Sequence, residues 1–361
     1  MTFPLATIEA AALRNNLAVV RKFAAHSRVI AAVKANAYGH GLIPVARALA
    51  SADAFGVARI EEAIALREAG IPHAIVLLEG VFAPEQLRVA AAHGLEIVVH
   101  CFEQLEMLEQ HAAASRYDVW LKLDTGMNRL GFDAAEFAAA HERLRRCSAV
   151  ARLRLMSHLS AAEQADGEAA RRQLGLFHAL ADPLADALGL ERSVANSAGL
   201  IAWPEARTEW VRPGLMLYGL SPFAERSAES LGLLPAMTLS TRLIAIRDVA
   251  AGATVGYNGI WRAERRSRIA IAAIGYGDGY PRGMRNGGPV LVKGREAAVV
   301  GRVSMDMTAI DVTDHADVRV GDEVTLWGRG LPAERVAAHA DTIAYELVCR
   351  VSERVAREWK E

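Results

Sequence analysis

The chain has 361 residues, with 41 Lys and Arg residues against 42 Asp and Glu residues, so its formal charge is −1. This near-neutral balance provides no general field for polyanions, which argues against nucleic acid or an anionic membrane as the main partner. Hydrophobic residues make up 52% of the chain and charged residues 23%, a composition typical of folded rather than disordered proteins. The chain is long enough for one large domain or two.

The compartment can be predicted from what the sequence lacks. No apolar run approaches the ~18 residues needed to span a bilayer, and residues 1–16 have neither the basic lead nor the apolar core of a secretory signal. The three cysteines, Cys101, Cys147 and Cys349, are too few and too scattered for a disulfide framework or a zinc site. We therefore expect a cytoplasmic protein with reduced thiols and no metal.

The first two-thirds of the chain alternates short apolar runs with amphipathic segments. The apolar runs are VIAAVK (29–34), FGVAR (55–59), AIVLLE (74–79), LEIVVH (95–100), VWLKLD (119–124), LRLMSHL (153–159), SVANS (193–197) and EWVRPG (209–214). Near-continuous apolar runs are typical of parallel strands that are covered on the outside. Eight strands alternating with helices predict an α/β fold, a (β/α)8 TIM-type barrel. A doubly wound sheet fits less well, because KANAYGHG lacks its G-x-G-x-x-G turn.

From about residue 235 the pattern changes to short alternating runs separated by Gly, Asn-Gly and Asp turns, which predicts a mainly antiparallel β domain. A closing amphipathic stretch, AERVAAHADTIAYELVCRVSERVAREW, predicts one or two helices. We place the barrel in residues 1–232 and the β-rich C-terminal domain in residues 233–361.

Functional groups of a parallel barrel gather at the C-terminal ends of its strands. The predicted strands end in, or lead into, the polar and charged residues Lys34, Lys122, Asp124, Arg129, His158, Asn196, Ser197 and Arg212. Two lysines, two arginines and a histidine would thus meet at one mouth with few acids beside them. Such a pocket is suited to an anionic ligand such as a phosphorylated cofactor.

Lys34 follows five apolar residues and precedes a turn-rich stretch. A lysine at this position could simply emerge into water at the strand end. A desolvated lysine among cationic neighbours would instead have a lowered pKa and could form a Schiff base. Pattern alone leaves both readings open.

The segment VIAAVKANAYGHG closely resembles the cofactor-lysine segment of alanine racemases, which are fold-type III pyridoxal-phosphate enzymes. The resemblance continues along the chain, in the order of the family, in LKLDTGMNRLGF, MSHLS, ANSAG, VRPGLMLYG, GYNG, GYGDGYPR, GRVSMDM and TIAYELVCRVSERV. Nine segments in order make the resemblance highly specific, and it covers essentially the whole chain.

The resemblance implies a two-base reaction. Lys34 would hold pyridoxal phosphate as an aldimine and exchange the Cα proton of the substrate on one face. Tyr257, in GYNG, would exchange the proton on the opposite face and would come from the partner subunit's β domain. The expected protein is therefore a homodimer with shared active sites that interconverts L-alanine and D-alanine and supplies D-alanine for peptidoglycan.

Other site residues are implied in the same way. Arg212 would face the pyridine nitrogen, with His158 supporting it. Lys122, carbamylated by CO₂ in many family members, would orient Arg129, and Met305 would offer its backbone N–H to the substrate carboxylate across the dimer.

The resemblance also assigns the phosphate contacts and the substrate entrance. The implied phosphate-binding residues are Tyr38, Ser197, Gly214, Leu215 and Tyr345. The residues implied at the entrance are Tyr276, Arg282 and Arg302. One departure from the family is Ser193, which stands where a histidine near the arginine is common and puts that contact in doubt.

Two other functions remain to be weighed against alanine racemisation. A broad-specificity amino-acid racemase would share the same residues, and only its substrates would differ. A non-catalytic pyridoxal-phosphate carrier would be a single barrel, so the predicted β domain with Tyr257 argues against it.

Overall fold

The structure, a computed structural model, describes residues 3–111, 115–164 and 166–361. The chain begins with a strand, β1 (Leu5–Glu9), and a helix, α1 (Ala10–Phe23). A closed barrel of eight parallel strands follows. Its strands are β2 (Arg28–Ala32), β3 (Ala54–Val57), β4 (Ala74–Leu77), β5 (Leu95–Val99), β6 (Tyr117–Lys122), β7 (Val150–Met156), β8 (Arg192–Ser193) and β9 (Trp210–Val211).

All eight apolar runs identified in the sequence supply barrel strands, so the predicted (β/α)8 barrel is confirmed. Helices connect the strands on the outside. They are α2 (Lys34–Tyr38), α3 (Leu42–Ala48), α4 (Ile60–Glu68), α5 (Pro84–Ala92), α6 (Phe102–Gln110), α7 (Phe137–Arg146), α8 (Glu168–Leu188) and α9 (Ser197–Ala202). In the described ranges, no helix is both long and apolar enough to cross a membrane.

The rest of the chain forms a second, mainly antiparallel sheet, as predicted. Its strands are β10 (Met237–Val249), β13 (Ser267–Ala272), β14 (Pro289–Val292), β15 (Arg295–Val299), β16 (Thr308–Asp311), β17 (Glu323–Trp327) and β18 (Ala356–Lys360), while β11 (Thr254–Val255) and β12 (Trp261–Arg262) form a separate pair. The strands run in the order β13-β16-β15-β14-β17-β10-β1-β18, and β10 also pairs with β13.

The closing amphipathic stretch forms two helices, α10 (Ala333–His339) and α11 (Ala344–Cys349), but its last residues do not continue as a helix. They form β18, which lies parallel to β1, so the expectation of a helical end was wrong there. The division into residues 1–232 and 233–361 remains our proposal. β1 falls in the first range yet pairs with β10 and β18 in the second sheet.

The inside of the barrel is filled by one layer of apolar side chains from seven of its strands. They are Ile30, Ala54, Val76, Val98, Trp120, Met156 and Trp210. Residues two positions away along a strand face the same side, so Arg154 and Glu96 lie one step below this layer, towards the strand N-termini. The Arg154 side chain is 2% exposed and donates to Glu96 (3.0 Å) and Glu191 (2.9 Å). An ionic cluster therefore closes the bottom of the barrel.

We predict that Arg154→Leu destabilises the protein by about 3–5 kcal/mol, because it leaves Glu96 and Glu191 buried or half-buried without their shared cation. The matched control is Arg152→Leu on the same strand, where the side chain is 59% exposed and 3.8 Å from Asp118. Exposed ion pairs contribute about 0–1 kcal/mol, so the free energy of unfolding of the control should be close to that of the parent. Urea unfolding measures both, and equal destabilisation by the two variants would contradict the prediction.

Candidate active site

The register that builds the apolar layer also places polar side chains at the opposite end of the barrel. Lys122, His158 and Arg212 each stand two residues after a member of the layer, namely Trp120, Met156 and Trp210. A period of two therefore directs these three side chains into the barrel mouth. Lys34 follows the end of β2, beyond Val33, whose ψ of 15° ends the extended backbone, and its charge acts on both Lys122 and His158.

Arg212 is held from three sides inside this mouth. Its side chain is buried, and it donates to Ser193 Oγ at 2.6 Å and to the Ser157 carbonyl at 2.5 Å. The Ser193 hydroxyl in turn donates to the Trp210 carbonyl at 3.0 Å. Position 193, where a histidine is expected, therefore still contacts Arg212, because the Ser193 oxygen accepts a hydrogen bond from the guanidinium. Burial lowers the pKa of Arg212 to about 10, so it stays charged at neutral pH.

His158 lies against Arg212, with Nδ1 at 3.4 Å from a guanidinium nitrogen. Arginine has only donors, so Nδ1 is the acceptor and the ring carries its proton on Nε2. Burial lowers the pKa of His158 well below its usual value, and the charges of Arg212 and Lys122 add to the effect. The imidazole is therefore neutral at physiological pH.

The two lysines of the mouth both have lowered pKa values. Burial lowers the pKa of Lys34, and the Arg129 guanidinium acts in the same direction, against the carboxylates of Glu79 and Glu62. Burial lowers the pKa of Lys122 to about 8, and the charges of Arg212 and Arg129 contribute. Of the two readings of Lys34 that the sequence left open, the structure supports the desolvated lysine.

Arg129 is exposed on the loop that follows β6. Asp124 shapes this loop, because its Oδ1 accepts from the backbone N–H groups of Gly126 (2.8 Å), Met127 (2.9 Å) and Asn128 (3.1 Å). Asn128 has a φ of 54°. The loop brings the Arg129 charge close enough to affect Lys34, Lys122 and His158.

The turn that follows Lys34, residues 34–39 (the Lys34 turn), has an unusual backbone. Ala35, Asn36, Ala37 and Tyr38 have φ values of 55°, 52°, 52° and 52°. Left-handed conformation costs about 1–2 kcal/mol per non-glycine residue, so other contacts must hold the turn. One such contact is His40 Nδ1, which donates to the Tyr38 carbonyl at 2.8 Å. Another is the Asn36 side-chain oxygen, which accepts from Leu42 N–H at 2.8 Å.

The residues assigned to a phosphate come together beside this turn. The Tyr38 ring stacks on Tyr218 with centroids 4.6 Å apart and lies 5.8 Å from the Tyr345 ring. Ser197 Oγ accepts from Gly214 N–H at 3.0 Å. A Cβ on Gly214 would stand 2.4 Å from the Tyr38 hydroxyl, so only glycine fits there. Leu215 begins the 3₁₀ turn next to Gly214.

The structure does not bring Tyr257 and Met305 into this mouth. They lie on the second sheet domain, and their side chains are 65% and 53% exposed. A backbone hydrogen bond connects the Met305 loop to the Tyr276 loop. Gly277, the residue after Tyr276, donates its N–H to the Met305 carbonyl at 2.9 Å. The entrance residue Arg302 lies beside the Tyr257 segment, where a Cβ on Gly256 would approach its backbone nitrogen to 3.1 Å.

Sequence reasoning missed several residues that shape the mouth. Tyr218, His40 and Ser157 contact Tyr38 or Arg212 directly, and Ser193 replaces an expected histidine. Tyr218, His40 and Ser157 lie within the family segments VRPGLMLYG, VIAAVKANAYGHG and MSHLS, but nothing in these segments indicates which side chains they contact. The assembled groups are an amine of lowered pKa, three further cations, hydroxyls and backbone N–H groups. Chemically, this set could hold a molecule that carries both a carbonyl and a phosphate.

Comparison with known proteins identifies the family. The family model described as "Alanine racemase, N-terminal domain" matches residues 8–222, and "Alanine racemase, C-terminal domain" matches residues 236–359. An alanine racemase of Aeromonas hydrophila is 51% identical over 360 residues, which is 99% of this chain and 100% of that protein. An alanine racemase of Nitrosococcus oceani is 51% identical over 358 residues, or 99% of each chain.

Solved structures agree with the sequence comparison. The biosynthetic alanine racemase from Pseudomonas aeruginosa superposes with a TM-score of 0.96 at 44% identity, and the alanine racemase from Acinetobacter baumannii with 0.91 at 39%; each match covers 100% of both chains. The chain belongs to the alanine racemase family.

Proposed function

We propose that this chain interconverts L-alanine and D-alanine with pyridoxal phosphate bound to Lys34. The observation that carries the proposal is the position of Lys34, whose amine of lowered pKa stands at the end of the first barrel strand among Lys122, Arg129 and Arg212. Membership of the alanine racemase family over the whole chain supports the substrate.

The residues of the mouth fit this cofactor. An amine that is partly neutral can attack the aldehyde, and only the neutral form is nucleophilic. Tyr38, Ser197, Tyr345 and the backbone at Gly214 and Leu215 offer hydroxyl and N–H donors for the phosphate. The close approach of the Tyr38 hydroxyl to Gly214 already forms a cradle that a larger residue would fill.

When bound, pyridoxal phosphate supplies a ring that takes up the electron pair left at Cα as its proton departs. Lys34 would accept or return this proton on one face. Racemisation requires a second acid–base group on the other face. We assign that role to the partner subunit's Tyr257, because in a single chain this residue is exposed on the second sheet domain.

Arg212 would sit opposite the ring nitrogen. Its guanidinium holds its protons too tightly at neutral pH to protonate that nitrogen, and its positive charge would disfavour a protonated nitrogen, whereas an aspartate would favour one. By leaving the nitrogen unprotonated, Arg212 would weaken the electron withdrawal that the cofactor supplies and so would limit side reactions. Ser193, Ser157 and His158 hold Arg212 in place without adding a competing negative charge.

Arg129 and the backbone N–H of the partner subunit's Met305 would bind the substrate carboxylate. The second domain carries a set of exposed large apolar residues, as a subunit interface would require. They are Tyr257, Ile260, Tyr276, Met305 and Met307. We therefore propose a homodimer in which each site is completed by the other subunit.

Lys122 is expected to react with CO₂ in a pH-dependent way. Its amine attacks CO₂ and releases one proton, giving a carbamate whose negative charge would orient Arg129. A pKa of about 8 means that only a minority of the amine is neutral at pH 7 and most is neutral at pH 9. With ¹³C-bicarbonate, we predict a carbamate NMR signal that grows as the pH rises through 8 and is absent in Lys122→Ala. A carbamate signal that stays constant as the pH rises through 8 would contradict this prediction.

The direct test incubates the purified protein with L-alanine and resolves the products on a chiral column. We expect D-alanine, a visible absorption band from the bound cofactor, and, after borohydride reduction, a cofactor adduct on the peptide that contains Lys34. A band and adduct without turnover would indicate the carrier instead. Equal turnover of several larger L-amino acids would indicate the broad-specificity racemase. In a bacterial cytoplasm, the product would serve peptidoglycan synthesis.

A further inference from the structure

The last part of the chain, residues 350–360 (the C-terminal segment), runs between two parts of the molecule that belong to different proposed sites. On one side lies the Lys34 turn. On the other side lie the two loops that carry Tyr276 and Met305. Arg357 and Arg354, three residues apart on this segment, each reach to one of these sides.

Arg357 contacts the end of the Lys34 turn. Its Nε donates to the Gly39 carbonyl at 3.0 Å, and its Nη2 donates to the Val351 carbonyl at 2.9 Å. Gly39 packs closely against α11, because a Cβ there would stand 2.1 Å from the Val348 carbonyl oxygen. The side chain is half-buried. Arg357 thus ties the strained turn that presents Lys34 and Tyr38 to the second sheet.

Arg354 points to the other side. Its Nη2 donates to Asp306 at 2.6 Å, directly after Met305, and its Nε lies 3.5 Å from Asp278, two residues after Tyr276. Asp278 is buried and accepts from Gly275 N–H at 3.0 Å, which fixes the Tyr276 loop. Arg354, which is 54% exposed, therefore links the two loops, and together with the bond from Gly277 N–H to the Met305 carbonyl (2.9 Å) it restrains the backbone of Met305.

We propose that Arg357 and Arg354 are positioning residues for two different active sites: Arg357 for the site in its own barrel, and Arg354 for the partner subunit's site. The inference rests on the proposed sharing of sites between subunits. Neither arginine touches the reacting atoms. Arg357 acts through the Lys34 turn, and Arg354 acts through the loop that presents Met305.

The single variants should differ in what they lose. Arg357→Met is expected to weaken cofactor binding about tenfold, measured from the visible band during titration with pyridoxal phosphate, because it removes charged hydrogen bonds that hold the turn. Arg357→Lys should recover part of this loss. Arg354→Met is expected to keep the cofactor and raise the KM for alanine about fivefold, because the Met305 loop loses its exposed ion pair but keeps the bond from Gly277 N–H.

A matched control is Arg350→Met on the same segment. This side chain is half-exposed and pairs with Glu346 on the surface of α11. Its exposure matches that of Arg354 (50% against 54%), but its ion pair lies within a single helix instead of joining two loops, so we expect its cofactor affinity and KM to stay within about twofold of the parent. If the control behaves like the other two variants, general damage to the segment explains the effects and the proposal falls.

The deciding experiment mixes subunits. Arg357→Met and Arg354→Met chains with different tags are co-expressed, and heterodimers are purified through both tags. One site then combines both defects, whereas the other combines an intact barrel with an intact Met305 loop. Since a two-fold dimer has two sites, about half of the parental activity should return. A heterodimer no more active than the mean of the two homodimers would overturn the proposal. If Arg357→Met is insoluble, Arg357→Lys takes its place.

A second heterodimer separates this inference from the proposed function. Lys34→Ala paired with Tyr257→Phe also leaves one intact site if sites are shared. If this pair regains activity and the arginine pair does not, the roles of Arg357 and Arg354 are refuted while the shared site stands. If neither pair regains activity, the shared site itself is refuted, and the inference falls with it.

Discussion

Replacing Lys34 by alanine is expected to remove racemisation and the bound cofactor together. The amine is both the attachment point of the cofactor and the acid–base group on one face of Cα. Loss of one acid–base group alone costs about 10²–10⁴-fold. Loss of the attachment adds to this cost, so we expect activity to fall by at least about 10⁴-fold. Chiral chromatography measures the activity, and the visible band measures the bound cofactor.

Two further variants sharpen this prediction. Lys34→Arg keeps the positive charge but offers no nucleophile at neutral pH, so it should fail as Lys34→Ala does if attachment matters and not charge alone. Lys22→Ala removes an exposed lysine from the last turn of α1 and should change neither measurement. Turnover or a visible band retained in Lys34→Ala would refute the assignment.

The barrel was predictable because its signal is local. Strands that are covered on the outside by helices are apolar at nearly every position, and the eight runs stand out from the amphipathic segments between them. The same alternation fixes the mouth, since Lys122, His158 and Arg212 continue the inward face of their strands. Candidate site residues at strand ends could therefore be identified before any contact was known.

Contacts between distant parts of the chain were not predictable in this way. The amphipathic pattern predicts that AREW ends a helix, yet these residues belong to β18, because β1, some 350 residues earlier, offers them a strand edge. The sequence shows Ser193 only as the loss of an expected histidine. It does not show that the Ser193 hydroxyl accepts a hydrogen bond from Arg212, as an imidazole could.

The Lys34 turn shows the limit most clearly. Ala35, Asn36, Ala37 and Tyr38 have no common preference for left-handed conformation, and three of the four are poor at it. Their conformation is imposed by His40, by the stack of Tyr38 on Tyr218 and by Arg357. Family resemblance identifies this turn as a site, but only the contacts in the folded chain explain how it is held.

Tyr257→Phe is expected to lower racemisation by about 10²–10⁴-fold while the cofactor stays bound, because only the phenolic oxygen is removed. Tyr117→Phe is the matched control. It removes a phenol at the bottom of the barrel, where the Tyr117 hydroxyl donates to the Leu87 carbonyl at 3.0 Å. The control should keep its racemase activity, although it loses one hydrogen bond.

Hydrogen exchange in D₂O distinguishes a lost base from a damaged site. With Tyr257 replaced, Lys34 can still remove and return the Cα hydrogen on its own face. One enantiomer of alanine should therefore gain deuterium at Cα with its configuration retained, and the other should exchange slowly, as proton NMR would show. Equal slowing for both enantiomers would mean that Tyr257 supports the site without serving as a base. Exchange with inversion at the parental rate would mean that another group serves the second face.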